Sequence, residues 1–209
     1  MTAEARGQLT STSLFIRERF LDLGSCEACC DALRRGQSEQ ATIANASGQT
    51  VVDQGVRRTR RVSIDWEIQK LIRQPLEALM SEIQRYFTVS LVRLEQTDFL
   101  LYGQGDFFRP HQDHSRLDAH GSDLRLRTVS AVLFLNRQTR LPAEGCYCGG
   151  EFRLYTPQNR STPYIQIDGE PGLLIAFPSD TFHEVRPVRH GERCTVAAWY
   201  VRADANPDS

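Results

Sequence analysis

The chain has no uninterrupted apolar run approaching the roughly 20 residues that a membrane-spanning helix needs, so no segment is expected to cross a bilayer. Met1 to Thr12 is polar and lacks the apolar core of a secretory leader, which makes cytoplasm the expected setting. An excess of one charge is missing too. Twenty-five basic against 26 acidic residues leave a formal net charge of −1, which gives no overall field for nucleic acid. The basic run Arg57-Arg58-Thr59-Arg60-Arg61 could meet an acidic partner but reads more simply as a solvated loop or strand edge. There is no internal repeat and no low-complexity tract, and Ala203 to Ser209 reads as a frayed tail.

The six cysteines lack the spacing that would make them a framework. Cys26, Cys29 and Cys30 fall on one helical face, and the extended Cys146-Tyr147-Cys148 puts two sulfurs on one side. Neither group has the paired C-x2-C spacing of common zinc modules, and without a leader a disulfide network is not expected. Reduced cysteines, some buried in the first helix, are the expectation, with structural zinc or redox sensitivity as minor alternatives.

What is present suits one domain over 1–209. A chain of 209 residues, 40% hydrophobic and 24% charged, can bury one substantial core. Residues 13–88 read as helical support with a candidate substrate loop, and 89–202 as the catalytic core. A helix is predicted over Ser25 to Arg35, capped by Ser25 and stopped by Gly36. A second spans Trp66 to Phe87, where Ile68, Leu71, Ile72, Leu76, Leu79, Met80 and Ile83 recur at helical spacing and Pro75 marks a kink or a join. From Ser90 onward the pattern turns to strands: Leu91 to Tyr102, Phe107 to Gln112, Thr128 to Leu135, Gly150 to Tyr155, Tyr164 to Ile167, Leu173 to Phe177, and a pair around His183 and Trp199. About eight strands after two helices predict a mainly β fold, a two-sheet jelly roll (double-stranded β-helix) buttressed by N-terminal helices.

The chemistry concentrates in Arg109-Pro110-His111-Gln112-Asp113-His114. On an extended chain the side chains of His111 and Asp113 leave the same face and Gln112 leaves the other. A third ligand must come from elsewhere, and Thr181-Phe182-His183-Glu184-Val185 offers His183 in a strand pattern after a turn. Two imidazoles and one carboxylate form a facial triad with open positions, which suits non-haem Fe(II) oxygen chemistry. His114, His120 and His190 are read as surface residues. Arg193 opens a return strand that runs through Trp199 to Val201; an arginine there needs a partner, either a dicarboxylic ligand or a salt bridge to Glu184 or Glu192.

In order along the chain, Tyr102, His111-x-Asp113, Leu133-Phe134-Leu135-Asn136, Gly149-Gly150-Glu151-Phe152, His183, Arg193 and Trp199 resemble the Fe(II)- and 2-oxoglutarate-dependent dioxygenases, in their prolyl 4-hydroxylase-like branch. The resemblance runs from about Val89 to Val201. It implies a jelly roll with Fe(II) held by His111, Asp113 and His183, with 2-oxoglutarate bound by Arg193 and Tyr102, and with O2 as oxidant. The expected reaction is hydroxylation of an unactivated C–H bond, most simply on a prolyl residue of a protein or peptide. An oxygenase of a free amino acid or other small metabolite, and a non-catalytic cupin-like metal-binding module, are the alternatives. Arg109, Gln104, Arg127, Phe152 and Trp199 are candidate substrate contacts, although Trp199 also suits a core position behind the cosubstrate. Asn45 to Arg60 and Ser115 to Arg125 are candidate entry loops. Two positions depart from relatives: Phe134 stands where several carry a tyrosine, and Ala197 where a hydroxyl residue is common. No nucleic acid or membrane partner is expected.

Overall fold

The computed structural model describes residues 14–44, 49–114, 123–156 and 159–203. Met1 to Thr12, most of Ser115 to Arg125 and of the tail, residues 45–48 and His120 lie outside these. The elements in chain order are β1 (Phe15–Arg17), α1 (Leu23–Arg35), β2 (Gln37–Gln40), β3 (Ile43–Ala44), β4 (Thr50–Val51), β5 (Arg57–Arg58), β6 (Arg60–Ser63) and α2 (Trp66–Phe87). There follow β7 (Arg93–Leu94), β8 (Asp98–Tyr102), β9 (Phe107–His111), β10 (Arg127–Phe134), β11 (Cys148–Gly149), β12 (Phe152–Thr156), β13 (Asn159–Ile167), β14 (Leu174–Pro178), β15 (His183–Val185), β16 (Val188–His190) and β17 (Arg193–Val201).

The first helix begins two residues earlier than the sequence suggests. Asp22, not Ser25, is the N-cap: its carboxylate accepts from the Ser25 amide at 2.9 Å and from the Ser25 hydroxyl at 2.7 Å. A carboxylate satisfies both donors at once and favours the positive end of the helix, so it displaces the serine. Gly36 does stop the helix, and for a steric reason: a Cβ there would lie 2.5 Å from the Ser63 carbonyl on β6. The second helix runs through Pro75 as a single element rather than two. Ile72, Leu76, Leu79 and Ile83 are buried along one stripe, each worth roughly 1.5–3 kcal/mol. Leu71, expected in that stripe, is exposed at its edge.

Two large antiparallel sheets carry most of the rest, with β3-β4 and β11-β16 as separate two-stranded pairs. The larger has the order β1-β14-β10-β17-β8-β6-β2 with β7 also on β17, and the smaller β13-β12-β15-β9-β5. This is the two-sheet jelly roll the sequence predicts. The segment before residue 88 does more than support it, since β1, β2 and β6 extend the large sheet and β5 edges the small one. Of the two readings of the arginine run, strand edge holds for Arg57–Arg58, which edges the small sheet with Arg57 buried, while Arg60 and Arg61 lie on β6 between β8 and β2. β2, Gln37–Gln40, carries no apolar residue and is exposed throughout, as an edge strand can be, which is why its pattern gave no strand signal.

Alternation on β17 divides the interior. Cys194, Val196, Ala198 and Tyr200 join the helices in one apolar core on the outer face of the large sheet. Arg193, Thr195, Ala197 and Trp199 face a cavity between the sheets. Cys26, Cys29 and Cys30 sit in the helix-side core as free thiols. Burial pushes the Cys26 and Cys29 thiols up to about 12, and Cys30 higher still through its contact with Cys194 and its burial. They behave as small hydrophobes. Among the described residues no cysteine belongs to a metal-sized cluster. No helix among them is long and apolar enough to cross a membrane.

Candidate active site

Register brings the two histidines together. β9 and β15 are antiparallel neighbours with His183 directly opposite His111, and Asp113 lies two residues past His111 as β9 ends. The potential ligand atoms of the three all fall within 4.8 Å of one another. His111 Nε2 is 3.7 Å from Asp113 Oδ1, and His183 Nε2 is 3.6 Å from Asp113 Oδ2. Each ring has its Nδ1 on a backbone carbonyl two residues back, His111 on Arg109 at 2.8 Å and His183 on Thr181 at 2.9 Å. A carbonyl can only accept, so Nδ1 carries the proton and Nε2 presents a lone pair toward the common centre.

Electrostatics agree with a ligand set. Burial and the neighbouring His183 push His111 down to about 3, so its ring is neutral. Burial alone would raise Asp113, but His183, His111, Arg127 and the Ser130 hydroxyl hold its carboxyl well below the usual range. Ser130 donates to Asp113 Oδ2 at 2.7 Å and lies 2.9 Å from the Ser179 hydroxyl, while the Asp113 amide donates to the Ser179 carbonyl at 2.9 Å. Two neutral imidazoles and a carboxylate, each fixed by a second contact, fit a divalent transition metal.

Deeper in the cavity Arg193 is fully buried on β17. Its Nη1 donates to the Thr195 hydroxyl at 3.0 Å, its Nε and Nη2 have no hydrogen-bond partner of good geometry among the described residues, and the Tyr147 hydroxyl lies close enough to feel its charge. The salt bridges considered from sequence do not form. Glu192 pairs with Arg34 and Arg60, and Glu184 accepts from Tyr155 at 2.5 Å and faces Arg153 and Arg186. The guanidinium is flanked by the Tyr102 and Phe134 rings, 5.0 and 5.3 Å from their centroids. Gly150, at φ 60°, lets its stem pass: a Cβ would stand 3.0 Å from Arg193 Cδ. A buried cation with two idle donor atoms is costly unless an anion meets it, and the fork suits a carboxylate. The residues present thus fit both a metal and a dicarboxylic cosubstrate.

The cavity of about 470 Å³ is lined by His111, Asp113, His183, Tyr102, Arg193, Arg127, Phe152 and Trp199 among others. Arg127 makes a two-pronged ion pair with Glu95, at 2.8 and 3.0 Å, and stacks 3.8 Å from the Trp199 ring centroid, whose buried Nε1 has no partner. Trp199 therefore faces the cavity rather than a core behind it. Gln104 and Arg109 are exposed and form no part of the lining, and Arg109 instead donates to the Gly55 carbonyl. His114, read as a surface residue, lines the cavity with its Nδ1 3.2 Å from the Arg127 carbonyl. His190 is exposed as expected.

Some residues escaped the sequence reading. Thr195 is the hydroxyl beside Arg193, two places on instead of four, and strand alternation could have found it. Ser130 and Ser179 carry no local signal. Tyr147 is buried near Arg193, and its hydroxyl is pushed up to about 12 by burial against the pull of that arginine. Thr42, Ile43, Thr50, Arg57 and Arg61 bring the N-terminal segment to the cavity mouth.

With this geometry in place, the likeness to known proteins can be stated. The profile of the 2OG-Fe(II) oxygenase superfamily matches residues 97–201. A PKHD-type hydroxylase of Rhizorhabdus wittichii is 34% identical over 102 residues, covering 48% of this chain and 40% of that protein. One from Burkholderia thailandensis is 31% identical over 115 residues, covering 52% and 45%. The chain thus spans less than half the length of these relatives. Among solved structures, a Pseudomonas putida prolyl-4-hydroxylase superposes with a TM-score of 0.71 at 24% identity over 98% of this chain and 100% of that one. A Trichoplax adhaerens prolyl hydroxylase in complex with a hypoxia inducible factor oxygen degradation domain peptide gives 0.69 at 20%, over 93% and 86%. At those identities the superpositions establish the fold alone. The family match takes in Tyr102, all three candidate metal ligands and Arg193, and with it the chain belongs to the 2OG-Fe(II) oxygenase superfamily, whose cofactors are Fe(II), 2-oxoglutarate and O2.

Proposed function

We propose that this protein is an Fe(II)- and 2-oxoglutarate-dependent hydroxylase of an unactivated C–H bond, acting on a prolyl residue of a peptide or protein in the cytoplasm. The observation that carries the reading is one cavity holding the His111, Asp113 and His183 donor set and a buried arginine that no carboxylate among the described residues neutralises. A non-catalytic module has no use for that arginine, whose burial only costs stability. The names of the hydroxylase relatives and of the prolyl hydroxylase neighbours support the choice of target.

In this reading His111, Asp113 and His183 would hold a ferrous ion. The bound ion supplies the oxidising chemistry, with the balance 2-oxoglutarate + O2 + R–H giving succinate + CO2 + R–OH. The chain's own residues position and shield. Arg193, steadied by Thr195, takes the far carboxylate of 2-oxoglutarate, and the Tyr102 and Phe134 rings hold the guanidinium in place. Phe152 and Val185 exclude water from the wall beside His183. Arg127 and Trp199 face the target, with the indole N–H free to donate to a peptide carbonyl.

The test is a mass screen of proline-containing peptides against free amino acids with Fe(II) and 2-oxoglutarate. Succinate should form slowly alone and faster with a peptide that gains one oxygen. Absence of succinate in every condition rejects the oxygenase reading, and oxygen gained only by amino acids rejects the peptide target.

A further inference from the structure

Three arginines on the mouth side of the cavity differ in what neutralises them. Arg127 has Glu95, and Arg61 has Asp98 at 3.1 Å and Glu39 at 3.7 Å. Arg57 has no acidic partner among the described residues. It is 8% exposed, its Nη1 donates to the Thr42 carbonyl at 3.0 Å, and its buried Nε has no hydrogen-bond partner among the described residues.

Its position is fixed from two sides. Backbone pairing sets Arg57 opposite Phe108 on the small sheet, and its guanidinium lies 4.6 Å from the Phe108 ring centroid. That ring is itself stacked on His111, with centroids 3.4 Å apart. A cation thus stands one aromatic ring away from the candidate metal ligands, on the sheet opposite Arg193. Since β17 already supplies a fork for the cosubstrate, a second unneutralised fork is left for the other molecule in the cavity.

Resting on the hydroxylase reading above, we propose that Arg57 binds a carboxylate of the prime substrate, namely an acidic side chain close to the oxidised residue of a peptide. A neutral peptide would leave the buried guanidinium with the Thr42 carbonyl and the Phe108 ring but no anion. A carboxylate adds a charge-assisted pair in a site sheltered from water.

The experiment uses protein loaded with 2-oxoglutarate and Zn(II), which has no redox chemistry. Calorimetry compares acetylated, amidated pentapeptides with a central proline and Glu or Gln at each other position in turn. L-Proline and L-prolinamide form a second pair. For at least one position the Glu peptide should bind about tenfold tighter than its Gln twin, and Arg57→Gln should bring that ratio near unity. The ratio is taken within each variant, so a general loss of affinity cancels. Should Arg57→Gln not fold, Arg57→Lys decides, since a retained charge should keep a reduced preference. A preference confined to L-proline over L-prolinamide keeps the carboxylate site but overturns the peptide as its source. Equal binding within every pair, weak or strong, overturns the proposal, as does a ratio unchanged in Arg57→Gln. Succinate formation by the iron-loaded protein is measured separately, so failure of the oxygenase reading is told apart from failure of this one.

Discussion

At the inner end of the cavity the hydrogen bonds that orient Arg193 and the two histidine rings are local: Arg193 donates to Thr195, and His111 and His183 meet carbonyls, each two residues away. At the mouth the spans are long. Arg57 reaches 15 residues back to Thr42, Arg127 reaches 32 to Glu95, and Arg61 reaches 37 to Asp98. The inner end is thus set once its strands form in register, whereas Arg57 and Arg61 reach the mouth only after the N-terminal strands have docked. A tightly pre-set reaction centre and a separately assembled entrance can vary independently, which suits a scaffold reused for different substrates.

The largest expected effect comes from breaking the inner set. Asp113→Ala leaves two neutral imidazoles and removes the charge that balances the metal. Metal content after equilibrium dialysis should fall to background and succinate formation with it. A variant that still holds iron and turns over would remove Asp113 from the ligand set.

Next is Arg193→Gln, where loss of a charge-assisted pair worth roughly 1.5–3 kcal/mol should raise the 2-oxoglutarate KM about 10- to 150-fold while metal content holds. The same change relieves a buried unpaired cation. The ligand-free variant should therefore melt no lower than wild type, and 2-oxoglutarate should raise the wild-type Tm alone. A lower Tm in the variant would mean that Arg193 is structural.

This contrast also explains what the sequence could reveal. His111 and Asp113 at i and i+2 on a strand, and Arg193 opening an apolar one, are local patterns, and periodicity finds them. Trp66 to Phe87 was legible for the same reason, its stripe outweighing Pro75. Ser130 meets Asp113 from 17 residues away, and β2 is a polar edge strand whose partner β6 lies beyond β3, β4 and β5, so neither leaves a periodic trace. Arg57 read as solvated loop or strand edge; it is on an edge strand, but its burial was hidden because a charged side chain gives no hint of burial until its neighbours are placed. Asp22 was overlooked because Ser25, three residues further on, is equally a capping residue type.

Ser130→Ala tests a long-range side-chain contact at the inner end. Losing a hydrogen bond to a metal-ligating carboxylate typically weakens metal affinity about 10- to 100-fold. The lower figure is expected, because Asp113 keeps its backbone bond to Ser179. Metal competition with a chelator would measure it, and an unchanged affinity would make the Ser130 contact incidental.

The smallest effect is a pH slope in the metal-free protein. His111 sits near 3 when folded, against about 6.5 in an unfolded chain, so the unfolded state takes up the proton first. The neutral ring's contribution is complete above about pH 6.5 and is lost on acidification toward 3, at up to about 1.4 kcal/mol per pH unit. Asp113, also depressed, adds loss in the same direction only as pH falls through the carboxylate range. Metal-free His111→Gln should therefore lose less stability than wild type between pH 6.5 and 4.5, where Asp113 contributes little. Arg57 is charged throughout that window and is the smallest of the influences on His111, so Arg57→Gln should stay close to the wild-type slope. Thermal melts across that window separate the two ends. Parallel curves for His111→Gln and wild type would mean that the ring is solvated, and with it the sheltered inner end would lose its physical basis.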